Sequence, residues 1–109
     1  MSLDMVGPEP RPERFAVEEI RRILEHERDA RLAQLRVIDE EARDAEHDFV
    51  QAQRESIRRV LKDIETAFAR LERGEYGLCE DCRRPIPVER LDILPYARQC
   101  VSCCRRRAM

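Results

Sequence analysis

Four of the five cysteines in this chain form two Cys-x-x-Cys pairs, Cys79/Cys82 and Cys100/Cys103, with 17 residues between them. No other feature restricts the fold as tightly. Each such turn aims two sulfurs at one point, and a loop of this length folds back to bring in the second pair. This is the spacing of a tetrahedral four-cysteine zinc site. Thiolates are soft ligands that favour zinc over magnesium or calcium. Four protein ligands close the coordination sphere, so one structural zinc ion is expected rather than a catalytic one. A module of about 28 residues buries too little apolar surface to fold alone, so metal binding should supply much of its folding energy. The competing readings are two disulfides, or reduced thiols with no shared role. Cys104 stands outside the pairs, as a substitute ligand for Cys103, a thiol sensor beside Arg105–Arg107, or a spare thiol. His26 and His47 fall on the helical region, far from the cysteines in sequence, and read as surface residues.

The second constraint is a stretch of 61 residues, Glu13 to Arg73, without proline or glycine and rich in Ala, Leu, Arg, Glu and Gln. In its second half Ile57, Leu61, Ile64, Phe68 and Leu71 recur at alternating spacings of 4 and 3, the coiled-coil period. In the first half Ile20 and Leu24 begin a stripe that Leu35, Ile38, Ala42 and Ala45 finish, with Arg28 and Arg31 interrupting it. One straight helix would leave this seam in water unless it dimerised, whereas an antiparallel hairpin buries it within one chain. The natural turn is 39–48, with six acids against one Arg and few large apolar side chains. Asp44 or Asp48 is positioned to cap the second helix, and each arm would run about 28 residues, or roughly 42 Å. Gly74 stops the second arm, and Pro85, Pro87 and Pro95 exclude a continuing helix beyond it. The expected fold is therefore mainly α. A mobile segment, 1–14, precedes an antiparallel helical hairpin, 15–73, and a four-cysteine zinc finger of turns with one short β-hairpin, 74–109, ends in a short basic tail.

Composition closes off other classes. Charged residues make up 40% of the 109 residues and Leu, Ile, Val and Phe number 26, too few for a large core with a deep pocket. Three glycines permit no phosphate-cradling loop. No apolar run suits a signal peptide or membrane span, so a reducing, cytoplasmic setting is expected. Residues 1–48 carry 14 acids and 8 bases, whereas 49–109 carry 9 acids and 13 bases. No enzymatic activity is expected, for there is neither an open metal position nor a nucleophile–base pair.

The residues Tyr76-Gly77-x-Cys79-x-x-Cys82, Ile86-Pro87, Glu89-Arg90-Leu91, Pro95, Ala97 and Cys100-x-x-Cys103 resemble the zinc-finger signature of the DksA/TraR family. The resemblance implies a bacterial transcription regulator, monomeric, that binds RNA polymerase directly rather than DNA. It implies a finger packed at the base of a helical hairpin that enters the polymerase secondary channel, where acids at the tip modulate initiation. The candidate tip acids are Asp39, Asp44 and Asp48. The family's Asp-x-x-Asp-x-Ala tip is not kept in register: its second Asp falls on Asp39, its first on Arg36 and its Ala on Glu41. The basic positions that serve guanosine tetraphosphate in some members count onto Ser56, Asp63 and Cys104, which argues against the same use of the nucleotide unless Arg58, Arg59, Lys62 and Arg105 compensate. The family's common Gly after the second Cys is Arg83 here. Three other readings stand beside this one. They are a nucleic-acid-binding finger working through Arg83, Arg84 and Arg105–Arg107, a redox-responsive zinc adaptor, and an intermolecular coiled-coil dimer.

Overall fold

The structure, a computed structural model, describes residues 17–41 and 47–108. The segment 1–14 and the candidate acid Asp44 lie outside them. Helix α1 spans Val17–Glu41 and α2 spans His47–Glu72; two short helices follow, α3 (Val88–Ile93) and α4 (Val101–Ala108). The first two pack antiparallel, and the molecule is elongated, with extents of 65 × 34 × 21 Å.

The seam positions go inside. Ile57, Ile64 and Leu71 are buried on α2, as are Val50 and Ala67, and at the base Ile20 and Leu24 of α1 pack with Ile64, Ala67 and Leu71. Two ion pairs cross the hairpin at 2.7 Å, Arg21 with Glu72 near the base and Asp39 with Arg54 near the turn. The residue numbers of both pairs add to the same value, so the antiparallel register holds without a slip between them. Arg28, which breaks the apolar stripe in the sequence, is accommodated by the fold: its guanidinium lies 5.4 Å from the centre of the Phe68 ring. The cation is attracted to the electron-rich ring face while its methylenes cover apolar surface. Arg31 pairs with Glu27 one turn back.

Helix α2 stops at Gly74 for a backbone reason. Gly74 has φ of 74°. Its N–H donates to Leu71 O, and that of Glu75 to Arg70 O, which together are the bonding pattern of a glycine-terminated helix end. A Cβ at Gly74 would meet nothing within 4 Å, so conformation and not space calls for glycine there.

Beyond Gly74 the chain is more helical than turns alone. The expected β-hairpin is a single antiparallel bridge, Leu78 to Pro85. Pro87 stands before α3, where its missing N–H costs nothing, and its carbonyl accepts from Arg90 and Leu91. Helix α4 begins directly after Cys100, and its eight residues are too short a pattern for sequence reading to fix a helical period. Tyr76, Ile86 and Leu91 join Ile20, Leu24, Ile64 and Leu71 in one core, so the finger and the hairpin base share their hydrophobic interior.

Candidate metal centre and hairpin tip

The first Cys-x-x-Cys turn hangs on the Leu78–Pro85 bridge. The Cys79 N–H donates to Arg84 O at 2.8 Å, and the Arg83 N–H closes the turn onto Cys79 O at 2.9 Å. Closing it requires a left-handed residue, and Arg83 takes that conformation with φ of 66°. This is the position where the resembled finger commonly has Gly. The second turn is the start of α4, where the Cys104 N–H donates to Cys100 O at 2.9 Å and Cys103 faces inward.

Together they place the sulfurs of Cys79, Cys82, Cys100 and Cys103 within 4.8 Å of one another. A Zn–S bond of about 2.3 Å sets the edge of a thiolate tetrahedron at about 3.8 Å. The Cys82–Cys100 sulfur separation is 3.9 Å. The donor set therefore fits one zinc ion, with the Cys79 and Cys103 sulfurs shielded from water. All five cysteines are unbridged, and Cys104 is exposed outside the cluster.

The thiols do not ionise alike. Burial pushes Cys79 up, but bonds from the backbone of Cys82, Cys100 and Asp81, and from the Cys103 thiol, outweigh it and hold Cys79 down to about 6. Cys103 is pushed up to about 12, first by burial and then by its bonds to the other three thiols. Burial and shared hydrogen bonds thus oppose carrying several negative charges on the cluster at once. A dication removes that conflict, because thiolate is the ligating form.

The basic tail is not a loose arm. Arg106 donates to the Cys103 sulfur at 3.0 Å, and Arg107 reaches the Asp81 carboxylate with two bonds of 2.8 Å. Two of the three arginines thus serve the finger itself. Sequence reasoning also missed Arg70, which is 6% exposed on α2. Its guanidinium donates to the carbonyls of Glu75 and Leu78, tying α2 to the segment that leads into Cys79.

At the other end, Asp39 occupies the last turn of α1 and Asp48 the first turn of α2. Both are exposed. Asp48 lies inside the helix, so it complements the helix dipole rather than preceding the helix as a cap. Asp39 accepts a 2.7 Å bond from Arg54 Nε, so part of its charge is compensated within the chain. Among the positions counted from the resembled family, Ser56 and Cys104 are exposed, whereas Asp63 sits 3.7 Å from Arg98 of the finger. Arg58, Arg59, Lys62 and Arg105 are exposed. A cleft of about 250 Å³ opens between α1 and the finger, lined by Ile20, Ile23, Tyr76, Leu91 and Pro95 with Glu19 and Asp92.

Comparison with known proteins bears on this architecture. Residues 74–107 match the prokaryotic dksA/traR C4-type zinc finger. The solved structure of transcription factor DksA2 from Pseudomonas aeruginosa superposes with a TM-score of 0.72 at 26% identity, over 84% of this chain and 81% of that one. Residues 74–107 thus carry a finger of the dksA/traR C4 type, and the chain is similar to a DksA-family transcription factor over most of its length. The RNA polymerase-binding transcription factor DksA of Escherichia coli K12 is 30% identical over 66 residues, which are 61% of this chain and 44% of that protein. General stress protein 16O of Bacillus subtilis is 39% identical over 52 residues, 48% of this chain and 32% of its own. The chain thus aligns with less than half the length of these curated relatives. As in the family's C4 finger, the metal is a single structural zinc. No helix among the described residues is long and apolar enough to cross a membrane.

Proposed function

We propose that this chain is a cytoplasmic, monomeric, non-enzymatic transcription regulator that binds RNA polymerase directly. In this reading the chain divides into a helical hairpin, 15–73, and a zinc finger, 74–109, which holds the metal through Cys79, Cys82, Cys100 and Cys103. The hairpin enters the polymerase secondary channel, and acids at its free end modulate initiation. What carries the reading is the hairpin-and-finger architecture, shared over most of the chain with transcription factor DksA2. The name of the Escherichia coli relative supplies the partner. Physical support comes from a 65 Å body whose turn end carries Asp39 and Asp48 on the two helices flanking it, with Asp44 between them in sequence. Such a cluster suits a basic channel wall, or groups near a catalytic magnesium ion.

Among the candidates Asp48 should carry more of the effect than Asp39, whose carboxylate already engages Arg54. The chain does not use guanosine tetraphosphate as some members of the resembled family do, because the corresponding positions are Ser56, Asp63 and Cys104, none of them basic. The test is capture of purified polymerase by the purified chain, followed by in vitro transcription from a ribosomal-type promoter. Asp48→Asn and Asp44→Asn should keep capture and weaken regulation. Absent capture, or an unaltered transcription effect in Asp39→Asn, Asp44→Asn and Asp48→Asn together, would reject it.

A further inference from the structure

The two cysteine turns are joined by more than their metal. Asp81 lies inside the first turn, between Cys79 and Cys82, with its carboxylate facing the second turn. Arg107 binds it side-on, Nε to one oxygen and Nη2 to the other, both at 2.8 Å. Gln99 donates to the same carboxylate at 3.0 Å. Gln99 immediately precedes Cys100, and Arg107 lies one helical turn beyond Cys103. The second turn is therefore gripped on both flanks by one side chain of the first. A single backbone bond, Glu80 N–H to Arg98 O at 2.9 Å, runs beside this grip. Paired guanidinium–carboxylate bonds are among the stronger and more directional of polar contacts.

We propose that Asp81, Gln99 and Arg107 form a clamp that holds the two cysteine turns together and sets how slowly the finger releases zinc. They are positioning residues, since none supplies a metal ligand. The inference rests on the zinc reading of the four cysteines. For a thiolate to leave the metal and stay away, the turns must separate, and the clamp opposes that separation. Partners outside the ligand shell commonly change metal affinity by about 10- to 100-fold. The Asp81 and Arg107 side chains are 26% and 60% exposed, which places this pair at the lower end of that range.

The experiment measures zinc content of the purified full chain and then the rate of zinc transfer to a chromogenic chelator. Asp81→Asn and Arg107→Gln should each release zinc about 10-fold faster, and the double variant no faster than either single one. Arg107→Lys keeps the charge but not the paired geometry and should fall between wild type and Arg107→Gln. Arg105→Gln is the charge control, because among the described residues Arg105 makes no side-chain hydrogen bond or ion pair; its rate should match wild type. Absence of zinc overturns the metal reading and the clamp with it. Bound zinc with wild-type release from Asp81→Asn and Arg107→Gln overturns the clamp alone, as do additive losses in the double variant or an equal loss in Arg105→Gln.

Discussion

Arg83 offers a direct measure of backbone strain beside the metal. Its φ of 66° is one that L side chains avoid, and it is the one non-glycine residue with positive φ among those described. Holding a residue with a Cβ in this conformation costs roughly 1–2 kcal/mol. Replacing it by Gly removes that cost but adds about 0.5–1 kcal/mol of backbone entropy lost on folding. The side chain is exposed, and the turn-closing bond from the Arg83 N–H to Cys79 O survives the change. Arg83→Gly should therefore gain about 0.5–1 kcal/mol. Because the finger folds with its metal, the gain should appear as zinc affinity tightened by roughly 2- to 5-fold. Competition against a chromophoric chelator reads this directly. Arg83→Ala keeps the Cβ and should leave affinity where it is. Affinity unchanged or weaker in Arg83→Gly would refute the reasoning. So would equal tightening in Arg83→Ala, which would trace the effect to the side chain instead of the backbone.

Arg70→Ala should destabilise the chain by about 3 kcal/mol in urea unfolding, because it strands the carbonyls of Glu75 and Leu78 beside a buried site. Burial, and secondarily Asp92, push Tyr76 up to about 12 from an ordinary value near 10. The unfolded chain therefore loses its phenol proton first, so the stabilisation is full below about pH 10 and is lost as pH rises towards about 12. Urea midpoints across that window should fall, and Tyr76→Phe should flatten the fall while losing about 1 kcal/mol for the bond to Pro95 O. Cys79→Ser, or stripping the metal with a strong chelator, should unfold the finger while α1 and α2 retain much of their helicity by circular dichroism. Loss of all helical signal on chelation would mean that the hairpin depends on the finger, through their shared core, far more than its own seam implies.

Both long helices and the cysteine cluster were legible from residue spacing. Two Cys-x-x-Cys turns announce a four-sulfur site because ligand spacing is local, and the structure brings those four sulfurs together. The 4–3 alternation from Ile57 to Leu71 announces a helix with one apolar face, because that period is a property of the helix itself. Gly74 could be read as a helix stop for the same reason. Helix α4 could not, since its eight residues hold one large apolar side chain, Val101, beside three arginines, too short a pattern to fix a period.

Only the tertiary structure decided which charges meet. Asp39 and Arg54 are fifteen residues apart in sequence, Asp81 and Arg107 twenty-six. Whether either pair forms depends on hairpin register and on how α4 docks, and hydrophobic periodicity encodes neither. Arg28 reads as a flaw in the stripe until the Phe68 ring is placed beneath it. Arg70 reads as one more surface arginine until the finger folds over it. Sequence by itself determined the two long helices and the clustering of the four paired cysteines, because both follow from short-range spacing. The assembled chain determined which acids stay available at the tip and which side chains close the finger, because long-range electrostatic partners exist only after the hydrophobic core has set the distances between them.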